Sequence, residues 1–378
     1  MSALVVNLKK SDDPQDVVYL AVEAIASGKL VAFPTETVYG VAASALNVDA
    51  VERLFEVKGR DITKPFALAV KSLDDCLDYA PDMSPLARRL ARRCWPGPVT
   101  LVLEINHPDS VIYRLPAAVQ KLVVSQGCVG FRVPAHPVAL NIMRLSAGPL
   151  ALTSANRSGE PEATAGDQVV QQLGDGVDLV IDDGSCRFGQ SSTVLKVGGN
   201  QYKILREGVV SEAAIQQMSV FHTLLVCTGN TCRSPMAELL LKQQLADKLS
   251  CSIEQLREHR IQVSSAGIAA MPSGRPSPQS VEVLKEKGLD LSSHSSQPVS
   301  DHLIRNADLV LTMTNGHRKA LLQQWPELHG RTFVLREDQY DVSDPIGHGT
   351  DVYRACAEQI EQNLALWIDK ILEQAKAE

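Results

Sequence analysis

The clearest chemistry in the chain lies in Val226-Cys227-Thr228-Gly229-Asn230-Thr231-Cys232-Arg233-Ser234-Pro235. Five residues separate Cys227 from Arg233; an apolar run precedes the string and a helical pattern follows it. A loop of that length between a strand and a helix wraps an anion of phosphate size. Its backbone N–H groups turn inward, and the positive end of the helix lies behind them. Arg233 offers a guanidinium fork for two anion oxygens, while Thr228, Gly229, Thr231 and Cys232 would line the anion. Pro235 suits a first helical turn, where its missing N–H costs nothing. The same field lowers a thiol's pKa from near 8.5 to about 3.5–7.5. Cys227 is therefore expected to act as a nucleophile, against the blander reading of a small apolar residue at a strand end. Cys232 either packs or serves to trap an oxidised Cys227 as a disulfide. The two cysteines lack the spacing of a zinc pair, and no second pair follows. Phosphoryl transfer through a cysteine also needs an acid for the leaving group. Asp344, in Asp344-Pro345-Ile346-Gly347, is the candidate, although Asp-Pro is equally an ordinary turn.

A second set lies in the N-terminal half. Thr35 falls in Pro34-Thr35-Glu36-Thr37-Val38-Tyr39-Gly40, and Lys58, Arg60 and Lys64 place three cations within seven residues. Ser154 and Asn156 fall in Thr153-Ser154-Ala155-Asn156-Arg157-Ser158-Gly159, with Arg132, Ser192 and Arg206 elsewhere. Each run alone also reads as a solvated face or a polar turn. Together, hydroxyls, amides and cations at the ends of apolar strands suit an anionic small ligand such as a nucleotide. Neither a Walker loop nor a G-x-G-x-x-G string is present.

The elements that must carry these residues follow from hydrophobic periodicity. Asp16–Gly28 reads as a helix, Lys29–Phe33 as a strand, and Leu179–Ile181 and Thr193–Val197 as late strands. A helix begins near Ser211 and ends before Phe221. The pattern then restarts with a strand from His222 into the cysteine loop, and a helix over Pro235–Leu249. Strands over Ile261–Ser264, Leu309–Met313 and Thr332–Leu335 alternate with helices over Ser280–Lys287, His317–Trp325 and Thr350–Ala375. Alternation of this kind predicts a parallel α/β sheet. With 378 residues, two or three domains are expected; the restart sets two, 1–218 and 219–378.

Composition limits the rest. Charged residues are 21% and hydrophobic ones 44%, which argues against long disorder. Aromatics are only 4%, so aliphatic residues and alanine must fill the cores. The net charge of -7 argues against non-specific nucleic-acid coating, and no direct DNA binding is expected. No apolar run reaches the roughly 18 residues of a membrane span, and the N-terminus does not resemble a signal peptide. Eight scattered cysteines do not form a disulfide framework. A cytoplasmic protein is the expectation.

Two resemblances sharpen these readings. Residues 222–378 resemble the low-molecular-weight protein phosphatases, through VCTGNTCRSPMAE, SSAG (Ser264–Gly267), GLDLSSH (Gly288–His294), ADLVLTM (Ala307–Met313) and DPIG. The resemblance implies a Rossmann-like four-stranded parallel sheet, with Cys227 as nucleophile, Arg233 as phosphate clamp and Asp344 as general acid. It also implies that Asn230 holds the loop's shape and Ser234 hydrogen-bonds the thiolate. Tyrosine-directed members commonly carry aromatics after the Asp-Pro pair; here Ile346-Gly347-His348 follows. Thr231 stands where members resembling the bacterial protein-arginine phosphatase carry threonine. A phosphorylated protein is the implied partner, with phosphoarginine favoured over phosphotyrosine.

Residues 10–210 resemble the YrdC-like threonylcarbamoyl-AMP synthases, through FPTETVYG, KGR…KPFALAV, WPGPVTLVL, GFRVPAHP, LTSANRSGEP, SSTVLKV and ILREG. The resemblance implies a twisted mixed sheet with helices. It also implies condensation of L-threonine, bicarbonate and ATP to threonylcarbamoyl-AMP with release of pyrophosphate, feeding a downstream tRNA-modification machinery. ATP with Mg²⁺ would enter as a substrate complex, with no tightly bound cofactor. By position, Thr35, Lys64, Ser154 and Ser192 belong to the threonine side. Lys58, Arg60, Asn156 and Arg206 belong to the ATP side, and Arg132 is in the pocket. Asp61 and Lys196 depart from the family pattern, a proline and an acid respectively. A bifunctional enzyme is the first reading. The alternative is a phosphatase whose N-terminal domain only binds nucleotide or RNA.

Overall fold

A computed structural model describes residues 3–59, 61 and 64–375. Two units emerge, divided between Gln216 and Gln217. The first holds strands β1 (Leu4–Asn7), β2 (Val31–Phe33), β3 (Gly40–Ser44), β4 (Ala67–Ala69), β5 (Val99–Glu104), β6 (Val124–Ser125), β7 (Cys128–Arg132), β8 (Leu150–Ser154), β9 (Leu179–Asp182), β10 (Thr193–Gly198) and β11 (Gln201–Arg206). Its helices are α1 (Pro14–Ala26), α2 (Val48–Lys58), α3 (Leu73–Tyr79), α4 (Pro85–Cys94), α5 (Ala117–Val123), α6 (Pro137–Leu145) and α7 (Gly166–Leu173); α8 (Glu212–Ser219) spans the division.

These strands form one mixed sheet in the order β1-β9-β2-β3-β8-β4-β7-β5-β10-β11, with β6 beside β7. β2 and β7 are buried along their whole length, with apolar or small residues on both faces apart from Arg132 at the end of β7, whose charge is paired. On one face α1 and α6 bring Val17, Val18, Ala21, Val138 and Ile142 against Val31, Phe33, Ala42 and Leu152. Each such Val, Leu, Ile or Phe side chain contributes about 1.5–3 kcal/mol on burial, so aliphatic packing replaces the scarce aromatics. Local signals fix the ends of the helices. Asp13 caps α1 by accepting from Gln15 N at 2.8 Å, and Pro14 occupies the first turn. Asn47 caps α2, whose last residue is Lys58 and whose chain then leaves through Gly59 at φ 57°. Glycine adopts that left-handed conformation without a Cβ clash.

The second unit holds β12 (Phe221–Cys227), β13 (Ile261–Gly267), β14 (Leu309–Thr312) and β15 (Thr332–Val334), all parallel, in the order β13-β12-β14-β15. Its helices are α9 (Arg233–Leu249), α10 (Pro278–Glu286), α11 (Asp301–Asn306), α12 (Asn315–Gln324) and α13 (Thr350–Ala375). Alternation along β12 sends Phe221, Leu225 and Cys227 to a core with α9 and α13. Leu224 and Val226 face a second core containing Ile304, Val310 and Leu321. The sheet is thus covered on both faces, and the loop after β12 opens where chain order reverses across the sheet, the usual ligand crevice of such sheets. The helix periodicity gave Pro235 as the start of α9, but the helix begins at Arg233, because Arg233 and Ser234 already have helical backbone. The short α11 left no clear periodic signal. Among the described residues no helix is long and apolar enough to cross a membrane.

Candidate active sites

The loop 228–232 carries Cys227 at its entry and Arg233 at its exit. Cys227 is buried, and two groups approach its sulfur: Ser234 Oγ at 3.0 Å and the Asn230 backbone N–H at 3.2 Å. Asn230 adopts φ 54°, a left-handed conformation that asparagine tolerates better than most residues. Its fully buried side chain organises the surroundings. Nδ2 donates to Ser234 Oγ at 2.9 Å and Ser265 Oγ at 2.8 Å, while Oδ1 accepts from Gln297 N at 2.9 Å. Its carbonyl lies 2.9 Å from His294 Nε2. Ser265 Oγ in turn donates to Glu238 Oε2 at 2.7 Å. The separate strings SSAG, GLDLSSH and the cysteine loop therefore converge on one asparagine. Gly267 lies directly under the loop: a Cβ there would stand 2.5 Å from Thr228 O and 2.9 Å from Asn230 N.

Arg233 is buried; its Nη2 pairs with Asp344 Oδ2 at 2.5 Å, and Asp344 is about half exposed. The expected clamp and the candidate acid are thus in direct contact, one buried and the other open to solvent. Thr231 sits mid-loop, with its carbonyl accepting from Ser277 N at 2.9 Å. Gly229 packs 3.5 Å from Thr231 Oγ1 when given a Cβ, and Cys232 Sγ lies 3.5 Å from Tyr353 OH of α13. Burial pushes the Tyr353 phenol up to about 12, and its contact with Cys232 acts in the same direction. Gln297, Glu238 and His317 were not singled out from the sequence. Glu238 lies in a quoted string without a role. His317, in the first turn of α12, lies 2.9 Å from Thr228 Oγ1 through Nε2. A lone histidine 89 positions away gives no spacing signal.

In the first unit, a cavity of about 500 Å³ lies on the sheet. The register places Lys196, Val102, Gly130, Ala67 and Leu152 in one row across β10, β5, β7, β4 and β8, and all five line it. Thr35, Lys64, Arg132, Ser154, Ser192 and Arg206 also line it. Arg132 is buried and donates through Nη2 to Glu36 Oε1 and Thr37 Oγ1, each at 2.8 Å; Glu36 Oε2 accepts from Ala135 N at 2.8 Å. Thr35 Oγ1 donates to Val38 O at 2.7 Å. Arg206 Nη2 reaches Ser192 O at 2.9 Å and Ser192 Oγ at 3.2 Å, joining a residue of the expected ATP side to one of the threonine side. Burial lowers the pKa of Arg206, and nearby Glu162 opposes the shift. Gly208 after β11 packs against the backbone of Ser191 and Ser192 with no room for a Cβ.

Lys58 and Asn156 are not among the residues that line the cavity. Lys58 is buried; its Nζ donates to Asn156 O, to Asn156 Oδ1 at 2.9 Å and to Ser154 Oγ at 3.4 Å. It thereby fixes the loop after β8. Arg60 lies outside the described residues. Glu36 gave no sequence signal beyond its string, yet it is the carboxylate that anchors Arg132.

Comparisons with known proteins follow this division. A family model described as "Telomere recombination" (Sua5/YciO/YrdC) matches residues 23–208. One described as "Low molecular weight phosphotyrosine protein phosphatase" matches 222–377. The threonylcarbamoyl-AMP synthase of Pyrococcus abyssi is 34% identical over 252 residues, covering 63% of this chain and 71% of that protein. The protein-arginine-phosphatase of Bacillus subtilis is 39% identical over 145 residues, covering 37% of this chain and 90% of that protein. The crystal structure of P. abyssi Sua5 complexed with L-threonine shares the fold, with a TM-score of 0.51 at 22% identity over 95% of this chain and 97% of that one. The chain therefore belongs, through its first unit, to the Sua5/YciO/YrdC family of threonylcarbamoyl-AMP synthases and, through its second, to the low-molecular-weight phosphotyrosine protein phosphatase family.

Proposed function

We propose that the chain is a bifunctional enzyme with one chemistry in each unit. The second unit hydrolyses a phosphorylated protein through Cys227. Sγ attacks phosphorus, and the bond from phosphorus to the leaving oxygen or nitrogen breaks. Asp344 gives that atom a proton, and water then releases phosphate from the cysteine. Arg233 and the inward N–H groups of Thr228, Gly229, Thr231 and Cys232 hold the equatorial oxygens. Ser234 and the Asn230 N–H stabilise the departing thiolate. The observation that carries this reading is the convergence of Ser234 Oγ and Asn230 N on Cys227 Sγ, with Arg233 and Asp344 in contact beside them. Cys227→Ser is expected to abolish hydrolysis of an aryl phosphate; turnover that survives it would refute the mechanism.

The preferred substrate is a protein phosphorylated on arginine. Support comes from Thr231 in the loop, from exposed Ile346 after Asp344-Pro345 in place of an aromatic wall, and from the likeness to the B. subtilis phosphatase. The measurement is kcat/KM on matched phosphoarginine and phosphotyrosine peptides. Arginine is expected to lead, and Thr231→Ile to move the ratio towards tyrosine by about tenfold, or 1.4 kcal/mol. A clear lead for tyrosine in the parent enzyme would reverse the assignment.

The first unit makes threonylcarbamoyl-AMP from L-threonine, bicarbonate and ATP, with Mg²⁺ entering on the nucleotide and pyrophosphate leaving. The product serves tRNA modification in the cytoplasm. Thr35, Lys64, Ser154 and Ser192 take the threonine side, with Lys58, Arg60, Asn156 and Arg206 on the ATP side and Arg132 between. The described lining of the cavity offers cations and hydroxyls, so catalysis rests on positioning and on charge neutralisation at the α-phosphorus. Incubation with labelled threonine, ATP, Mg²⁺ and bicarbonate should yield the adenylate and pyrophosphate. Nucleotide binding without product would instead favour a nucleotide- or RNA-binding domain, a reading to which Lys196 on the cavity wall gives some weight.

A further inference from the structure

The catalytic loop is tied down on several sides by groups already named. One further tie comes from α12. His317 is buried, while Thr228, its partner, is exposed at the start of the loop. The main chain of His317 is fixed at the start of α12: the Thr314 side chain caps the helix by accepting from the His317 backbone N–H at 3.1 Å. Its Nδ1 is buried with no hydrogen-bond partner, whereas Nε2 faces Thr228 Oγ1 at 2.9 Å. A bare buried lone pair costs less than a bare buried N–H, so the proton sits on Nε2 and is donated to the threonine hydroxyl. The charged groups that face the ring are Arg233, Asp341 and Asp344. Burial and the Arg233 cation hold the ring neutral, with its pKa pushed down to about 4. A rigid, uncharged donor thus grips the residue that follows the nucleophile, without adding a second cation beside the phosphate clamp.

We infer that His317 is a positioning residue of the phosphatase reaction, acting through Thr228 to hold the first turn of the catalytic loop in the shape that receives the transferring phosphorus. The inference rests on the phosphatase reading of this loop. Its physical basis is the anchoring of Thr228. The Thr228 carbonyl accepts from Ala269 N at 2.9 Å on the β13 side, and the His317 bond fixes the same residue from the α12 side. Inward N–H groups stabilise a transition state only if they are aimed before it forms, so loosening one end of the loop should lower kcat more than it raises KM.

The test is a mutant cycle in the full chain, read on p-nitrophenyl phosphate. His317→Ala and Thr228→Val are each expected to lower kcat about tenfold with KM within about twofold, and the double variant to be no worse than either single. His317→Gln, whose Nε2 can reach the hydroxyl, should regain much of the loss. Thermal melts should show all variants folded. An unchanged kcat in His317→Ala, losses that multiply in the double variant, or no regain in His317→Gln would each overturn the inference. Should the parent chain turn over no aryl phosphate, the phosphatase reading itself fails. Binding of orthovanadate, which adopts the five-coordinate geometry of the transferring phosphorus, then carries the cycle. His317→Ala and Thr228→Val should weaken it equally and non-additively, and unaltered binding would sink the inference on its own.

Discussion

At the scale of single residues, Cys227 depends on neighbours that are silent in its own string. Asn230 and Ser234 are readable there, but Ser265, Gln297 and His294 reach Asn230 from 35, 67 and 64 positions away. Spacing singled out Cys227 and Arg233, the proposed nucleophile and clamp, because both flank one short loop. It missed His317 and Glu36 because their partners, Thr228 and Arg132, are brought close by the sheet alone. His317 also predicts a pH dependence of stability. Its folded pKa near 4 lies below the ordinary 6.5, so the native state prefers the neutral ring. The stabilisation is present above pH 6.5 and is lost as pH falls from 6.5 towards 4. His317→Gln should therefore flatten the decline in melting temperature between pH 6.5 and 4.5; an identical slope in parent and variant would contradict the assignment.

At the scale of elements, the alternation of strands and helices in the second unit was legible because parallel strands buried on both faces read as short apolar runs. β12 is the plainest case, buried from Phe221 to Cys227. The first unit was less legible. Its sheet mixes parallel and antiparallel pairs, and strands as short as Ala67–Ala69 leave too few residues to show a period. There the motif strings did better than periodicity, since GFRVPAHP, LTSANRSGEP and ILREG mark the ends of β7, β8 and β11, which bring Arg132, Ser154 and Arg206 to the cavity. The junction between β13 and the catalytic loop gives a sharp prediction. Gly267→Ala would push a methyl into Thr228 O, Ala270 Cβ and Asn230 N. Overpacking of this kind costs about 1–3 kcal/mol, and it should cut phosphatase turnover by more than tenfold while leaving the first unit's chemistry intact. Normal turnover in a folded Gly267→Ala chain would show that the loop tolerates displacement.

At the scale of the whole molecule, each candidate site is assembled from residues of a single unit. The net charge of -7 therefore says little about either ligand, because the cations that matter are held locally: Arg233 in one unit, Lys64, Arg132, Lys196 and Arg206 in the other. Substitutions in separate units with no shared partner should act independently. Cys227→Ser is expected to leave threonylcarbamoyl-AMP formation within about twofold of the parent, and Arg206→Ala to leave aryl phosphate hydrolysis equally unaffected; cross-effects beyond that would reveal coupling between the chemistries. The sheet order has a further consequence for access. Arg206 lies on β11, the last strand, which among the described residues pairs only with β10 and is largely exposed. A border strand held on one side opens locally at a fraction of the global unfolding free energy. Amide protons of Tyr202, Ile204 and Arg206 should exchange with deuterium well before those of β5, which would make the wall that grips Ser192 the first part of the chamber to yield; equal protection in the two strands would contradict this.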